Sequence, residues 1–328
     1  MVLGIDVFGL TTNNITYALL GEAMSYWKFF PAEEERWAHL PVWGFADVVV
    51  SKAEGVPEGT RVFGYLPSGS HLVVRPDRAS KTDFVDVSPH RAELPGAYQR
   101  YLRTDGNQVY EEKNEDYEML LWPLYFTSFL IDDFLDDEGM FGAELAVLSS
   151  ASSRTTSALA YLLDKREGIE VVGLTSSRNV EFTESLGVYD RVVPYEELES
   201  IERKPALYVD VAGDAKVRSA VHGHWGDELK HSAAVGITHK GDLGGSSKLP
   251  GPTPTFFFAP TRLDKRREDW GSEELNRRIA AAWPPYVDWV RGWLQVEHGS
   301  GPEDIKRIYL ELLDGRSDPA VGHVLSPD

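Results

Sequence analysis

Residues 146–178 constrain the fold of this chain more than any other stretch. Ala146-Val147-Leu148 is a short apolar run of buried-strand type, and 149–156 is a turn built of small residues. In 157–163, Leu159, Leu162 and Leu163 share one helical face. Gly168 then leads into a second apolar run, Glu170-Val171-Val172-Gly173-Leu174, which ends on Thr175-Ser176-Ser177-Arg178. Strand, turn, helix and strand in that order predict the first unit of a parallel dinucleotide-binding sheet. A small-residue turn ahead of a helix start leaves backbone N–H groups able to hold a phosphate.

The pattern continues downstream. A helix is expected over 180–186, closed by Gly187, and a strand over 191–195. The apolar strand 206–213 closes on Ala212-Gly213, and a helix follows over 214–225. The next strand is 232–238, followed by a loop rich in Gly, Ser and Pro over 241–254 and a short edge strand at Phe256-Phe257-Phe258. The tail reads as helix over 273–295, interrupted at Pro284-Pro285, then helix over 302–314 and a last strand over 322–326.

Upstream, residues 1–118 read as β-rich. Strands are expected over 2–8, over 41–51 with a break at Gly44, after the turn at 55–60, and over 71–76, stopped by Pro76. Residues 77–117 are polar and irregular, and 111–116 is a charged run that suits a solvated surface. Residues 120–135 form the expected entry helix of the second domain. Helical spacing puts Asp132 and Asp136 on one face and Asp133 and Asp137 on the next; a solvated helix end outweighs a metal site there.

A chain of 328 residues has room for two domains with full cores. Its net charge of −19 argues against nucleic acid as a partner, which needs a basic face. The absence of cysteine excludes disulfides, a cysteine nucleophile and a thiolate zinc site, and fits a reducing compartment. The first residues carry no basic n-region or apolar h-region, and no run reaches the roughly 18 apolar residues of a membrane helix. A cytoplasmic protein with no membrane partner is the expectation.

The run Thr11-Thr12-Asn13-Asn14-Ile15-Thr16-Tyr17-Ala18, with Pro41-Val42-Trp43-Gly44-Phe45 behind it, resembles the bacterial family DUF2855. More widely the chain resembles the zinc-free, quinone-oxidoreductase-like branch of the medium-chain dehydrogenases/reductases. Gly59-Thr60-Arg61-Val62-Phe63-Gly64 is similar to that group's G-D-R-V-x-G, and Ser185-Leu186-Gly187 to its S-L-G-A; the helix start from Pro123 to Thr127 and the closing strand match as well. The resemblance implies an α/β protein: a GroES-like β (substrate) domain over 1–118 completed by 271–328, and a Rossmann-like domain over 119–270. It further implies a small-molecule substrate, NADP(H) and a homodimer, to which an apolar edge at Phe256-Phe257-Phe258 would contribute.

The chain departs from the family at the phosphate turn. Where the family has roughly G-A-A-G-G-V-G, Ser150, Ser153, Arg154 and Thr156 stand at the glycine positions, with Ser152 and Thr155 among them. Glycines permit a tight turn and close approach of the pyrophosphate. Hydroxyls and the Arg154 guanidinium could hold phosphate by other contacts, or the turn could have lost binding. At the second strand's end an NAD site needs Asp or Glu for the ribose 2′-hydroxyl. Thr175, Ser176, Ser177 and Arg178 instead suit a 2′-phosphate, although they also suit an ordinary strand-to-helix loop. Ala212, Gly213, Gly236 and Phe257, at later strand ends, complete the expected cofactor rim.

Hydride transfer then needs a bound nicotinamide, a shaped pocket and a hydrogen-bond donor. Asn14, or its neighbour Asn13, matches the family's asparagine beside the nicotinamide, and Tyr17 is the nearest phenol able to donate a proton. Tyr125 and Thr127 lie where the family contacts that ring. The packing alternative is a buried tyrosine with a satisfied hydroxyl, and turn residues for the asparagines. Tyr26, Trp27, Phe29, Phe30, Trp37 and Trp43 would wall a flat quinone or enone, or form the core of the β domain. His222, His224, His231 and His239 fit no zinc spacing. Two functions follow: an NADP(H)-dependent oxidoreductase acting on a quinone, enone or small carbonyl compound, and an inactive nucleotide-binding or scaffold protein.

Overall fold

The computed structural model describes residues 1–107, 110–235 and 249–328. The chain separates into two units, Met1–Trp122 with Leu294–Asp328, and Pro123–Trp293.

The first unit opens with β1 (Val2–Leu10), α1 (Thr12–Leu19), β2 (Pro41–Val50) and β3 (Arg61–Pro67). It continues with β4 (His71–Val73), β5 (Pro76–Asp77), β6 (Asp83–Asp86) and β7 (Arg100–Arg103). These strands carry the alternating and β-branched residues that suit a pleated surface. β2 is antiparallel to both β1 and β3. The expected break at Gly44 does not occur: the strand runs through it, opposite Phe8, where a Cβ would lie 2.4 Å from the Val7 carbonyl oxygen. Glycine is there for close approach, not for a turn. Leu3, Phe8, Val42, Val62, Tyr65 and Phe84 form the core, with Phe29 and Phe30 beside them. Trp37 is 67 % exposed, so the aromatic residues of the first unit divide between core and surface.

The unit boundary falls inside α2 (Glu115–Asp137), between Trp122 and Pro123. The second unit then contains β8 (Leu145–Ser149), α3 (Arg154–Leu163), β9 (Glu170–Thr175), α4 (Val180–Ser185) and β10 (Arg191–Pro194). β11 (Ala206–Asp210), α5 (Ala215–Trp225), β12 (Leu229–Ala234), β13 (Thr255–Phe256) and α6 (Ala259–Val290) follow. The strand order is β10-β9-β8-β11-β12-β13 and every pairing is parallel. That is the 3-2-1-4-5-6 order of the doubly wound dinucleotide-binding sheet, with the direction of winding reversing beside β8. All of β8 and β11 is buried, as central strands covered on both faces require. β13 lies at the edge, where the Phe256–Phe258 segment was expected.

Two expectations are corrected in the tail. α6 continues through Pro284 and Pro285 and is broken instead at Gly271, whose φ is +78°. Its buried residues Leu275, Ile279, Trp283, Tyr286 and Val287 keep it in the second unit. The dividing point is therefore Trp293/Leu294, whereas a boundary at 271 was expected. After it, β14 (Gln295–Ser300), α7 (Gly301–Leu313) and β15 (Val321–Ser326) complete the first unit's sheet, in the order β14-β15-β1-β2-β3-β7-β6-β5 with β4 also on β1. No helix among the described residues is long and apolar enough to cross a membrane.

Candidate functional site

In the second unit the loop after β8 lies at the reversal point of the sheet. Ser150 adopts φ +54°, the left-handed conformation that a glycine holds at little cost. Ser153 caps α3: its Oγ accepts from the Thr156 N–H at 3.2 Å. The N–H groups of Arg154 and Thr155 lie in the first helical turn, where a helix supplies no acceptor of its own.

Much of the loop's remaining polarity is engaged within the unit. The Ser150 N–H donates to the Tyr195 hydroxyl at 3.0 Å, and the Tyr189 hydroxyl donates to the Ala151 carbonyl at 2.7 Å. Ser152 Oγ accepts from Thr175 Oγ1 at 3.3 Å and from Asn179 Nδ2 at 3.0 Å. Thr156 Oγ1 donates to the Ser149 carbonyl at 2.9 Å. The Thr155 carbonyl accepts from Ser128 Oγ at 2.7 Å. Burial pushes the Arg154 guanidinium down to about 10, and Tyr286 lies within its electrostatic reach.

At the end of β9, Thr175 is buried, Ser176 opens a short turn, and Ser177 and Arg178 are exposed. Ser177 Oγ donates to Glu196 Oε2 at 3.1 Å, so one carboxylate does stand at this corner, contributed from after β10. At the end of β11, Ser149 Oγ donates to Asp210 Oδ1 at 3.2 Å and accepts from the N–H groups of Val211 and Ala212 at 3.1 and 3.3 Å. The Gly213 N–H donates to Asp210 Oδ1 at 2.9 Å, and Arg218 Nε donates to Oδ2 at 2.8 Å. Asp210 is fully buried, and this bonding holds its charge in place. The Phe257 ring packs on Phe134 at the edge strand. Gly236 and His239 lie outside the described residues, as do residues 236–238 of the expected strand and most of the Gly-, Ser- and Pro-rich loop.

In the first unit, Thr11 and Asn14 form a capping box at the start of α1. Asn14 Oδ1 accepts from the Thr11 N–H at 2.7 Å, and its Nδ2 donates to the Pro41 carbonyl at 2.8 Å. Its carboxamide is thus engaged at both ends. Asn13 is partly exposed and donates its N–H to Thr11 Oγ1. The Tyr17 hydroxyl accepts from Trp43 Nε1 at 3.1 Å, and burial raises its pKa above the usual phenol value. Its proton therefore stays on the oxygen near neutral pH. Tyr26, Tyr65 and Tyr98 surround the ring. In the second unit, Tyr125 is fully buried, stacked on Tyr286 at 4.4 Å, and its hydroxyl has no hydrogen-bond partner. Thr127 Oγ1 donates to the Pro123 carbonyl at 3.1 Å.

The acidic end of α2 is paired. Asp132 and Asp136 meet Arg166, whereas Asp133 and Asp137 meet Arg262 and Arg266, so the two helical faces bond to different partners. Among the described residues no group of three His, Asp or Glu could hold a metal ion. His222 sits between the Pro250 carbonyl and Ser232 Oγ, and His231 stacks on Phe141 at 3.9 Å. Ser149, Tyr189, Tyr195, Glu196 and Asp210 were not read from the sequence as site residues. Their signal was position: Tyr195 and Glu196 follow β10, and Asp210 ends β11, at the carboxyl edge where parallel sheets bind ligands.

A family model described as "Protein of unknown function (DUF2855)" matches residues 8–318. No curated protein sequence matches. Among solved structures, E. coli K-12 YhdH with bound NADPH superposes with a TM-score of 0.59 at 17 % identity, covering 100 % of this chain and 91 % of that one. CurA from Vibrio vulnificus in complex with NADPH gives 0.61 at 14 % identity, covering 100 % and 90 %. The quinone oxidoreductase from Coxiella burnetii gives 0.56 at 13 % identity, covering 99 % and 90 %.

Proposed function

Because the chain belongs to the DUF2855 family and shares a fold with NADPH-bound oxidoreductases, we propose that it is a zinc-free, NADP(H)-dependent oxidoreductase acting on a quinone, enone or other small carbonyl compound. One observation carries the cofactor assignment. The loop after β8 keeps a left-handed residue at Ser150 and a capped helix start at Ser153, beside a β9 end carrying Thr175, Ser176, Ser177 and Arg178. Those residues fit a dinucleotide: α3 offers N–H groups to the pyrophosphate, and Arg178 offers positive charge to a 2′-phosphate. Arg154, Ser150, Ser152, Thr155 and Thr156 complete the phosphate side in this reading; Ala212, Gly213 and Phe257 border the rest of the cofactor.

When bound, the nicotinamide supplies or accepts the hydride. The chain's own residues bind, orient and move the proton. Tyr17 is the proposed proton donor, with Trp43 Nε1 fixing its oxygen. Asn14 holds α1 on β2 and so sets the position of Tyr17, with Asn13 beside it. Tyr125 and Thr127 are proposed to pack against the nicotinamide ring. A homodimer formed through the edge at β13 is part of the same proposal; Phe256 and Phe258 are 38 % and 43 % exposed.

Calorimetry with NADPH and NADH, followed by turnover of a quinone and enone panel, tests the reading. Arg178→Ala should weaken NADPH ten- to a hundredfold, the effect of losing a charged contact of about 1.5–3 kcal/mol, and weaken NADH far less. No measurable binding of either cofactor rejects the oxidoreductase assignment. A second reading, a nucleotide-binding or scaffold protein without turnover, is favoured by the engagement of the loop with Tyr189, Tyr195 and Asn179. Cofactor binding without turnover on the panel selects it.

A further inference from the structure

The first unit contains a hollow that the proposed oxidoreductase chemistry does not use. Phe45, Phe63, Leu102, Tyr110, Glu118 and Trp122 line it, and it offers about 20 Å³ to the centre of a water-sized group. A polar cavity needs roughly 10–15 Å³ by that measure to admit one such group. Glu118 is 8 % exposed, and among the described residues its side chain makes no hydrogen bond or ion pair. A buried carboxyl without a partner is costly, and most such groups have one.

The charges around the hollow do not supply that partner. Arg61 is held by Asp6, Asp47 and Glu115 at 2.8, 3.1 and 2.6 Å, three carboxylates on one guanidinium. Tyr110, on the wall, donates its hydroxyl to Glu115 at 2.6 Å. Arg103 also borders the hollow, but its guanidinium is bound by Asp105 and by the carbonyls of Gly55 and Ser80. The neighbourhood is therefore negative before Glu118 ionises. Desolvation, with Glu115 adding to it, pushes the Glu118 carboxyl up to about 8. The same field that resists a second negative charge attracts a positive one, and aromatic walls favour an ammonium head group through their ring quadrupoles.

We propose that this hollow binds the head group of a small organic ammonium ion, with Glu118 as its counter-charge and Phe45, Phe63 and Trp122 as its walls. Size limits the occupant to a head group such as a primary ammonium. Binding draws the proton off Glu118, so affinity rises with pH.

Saturation-transfer NMR with methylammonium chloride and the full chain tests this, at pH 7 and pH 9, with sodium chloride holding the ionic strength. Saturable transfer is expected, about tenfold tighter at pH 9, following a carboxyl that ionises at about 8. Glu118→Gln should weaken it at least tenfold. Phe63→Leu should weaken it and keep the pH dependence. Absence of saturable transfer at pH 9, or equal affinity in Glu118→Gln, overturns the proposal. If Glu118→Gln does not fold, the unmutated chain decides: an affinity that does not change with pH overturns it.

Discussion

The backbone N–H of Ser150 and the hydroxyl of Tyr195 are hydrogen-bonded at 3.0 Å, joining the loop after β8 to the segment after β10. Here a phenol from the end of β10, two strands away across β9, holds the first residue of the turn. Tyr195→Phe deletes the acceptor and leaves the ring. It should cost about 1 kcal/mol of stability. Urea unfolding of both proteins measures this, and an unchanged midpoint refutes a bracing role.

Ser150 itself is under conformational strain. A non-glycine residue in the left-handed region costs roughly 1–2 kcal/mol. Ser150→Gly should relieve most of that and raise the melting temperature. Ser150→Val, β-branched at the same φ, should lower it. If both variants melt like the parent, Ser150 carries no conformational strain.

Glu196 opposes the cofactor assignment at one point. Its carboxylate accepts from Ser177 Oγ, next to Arg178. Glu196→Gln removes a negative charge from the corner where a 2′-phosphate is proposed. NADPH affinity should therefore rise severalfold while NADH affinity barely changes. Calorimetry with both cofactors reads this directly; an equal change in the two would separate Glu196 from the 2′-phosphate.

The ion-pair cluster behind α2 should matter for stability. Asp133 accepts from Arg262 at 2.6 Å and from Arg266 at 2.7 Å, and all three side chains are largely buried. Removing the carboxylate leaves two covered guanidinium groups with less compensation. Breaking a buried pair in this way typically costs about 3–5 kcal/mol. Asp133→Ala should show it in chemical unfolding, and a loss below about 1 kcal/mol would mean that Asp137 and Asp269 suffice.

Glu118 also sets a pH dependence for the fold. Burial holds its folded pKa at about 8, well above the ordinary glutamate value. The folded state therefore holds a proton that the unfolded state has released, and stability falls as pH rises between those two values. The penalty is complete above about 8, on the order of a few kcal/mol at 1.36 kcal/mol per unit. Glu118→Gln should remove that part of the pH slope and be more stable than the parent at pH 9. Identical slopes would show that the carboxyl is not buried without a partner.

The parallel sheet was legible because its strands are short apolar runs separated by helix-period segments, and central strands buried on both faces leave that signature. The turn after β8 was legible as a turn, and its helix start as a helix start. The bracing phenols were not, since Tyr189 and Tyr195 reach the loop across the sheet from residues about forty positions later. Asn14 illustrates the same limit. Its place near α1 follows from the sequence, but the bond to the Pro41 carbonyl depends on how β2 packs. The paired prolines of α6 misled in the other direction. Helix-breaking propensity predicts an interruption at 284–285, whereas buried Trp283, Tyr286 and Val287 on either side keep the helix continuous, and tertiary packing outweighs the local penalty.

β1 lies between β2 and β15, with Phe8 opposite Leu325, more than three hundred residues away along the chain. During synthesis the second unit, Pro123–Trp293, emerges as one continuous segment and can fold while it is made. The first unit cannot. Until residue 326 has been added, the stretch of β1 that β15 covers, Phe8–Leu10, remains an open strand edge on that side. A nascent chain stalled before 321 would carry that edge uncovered.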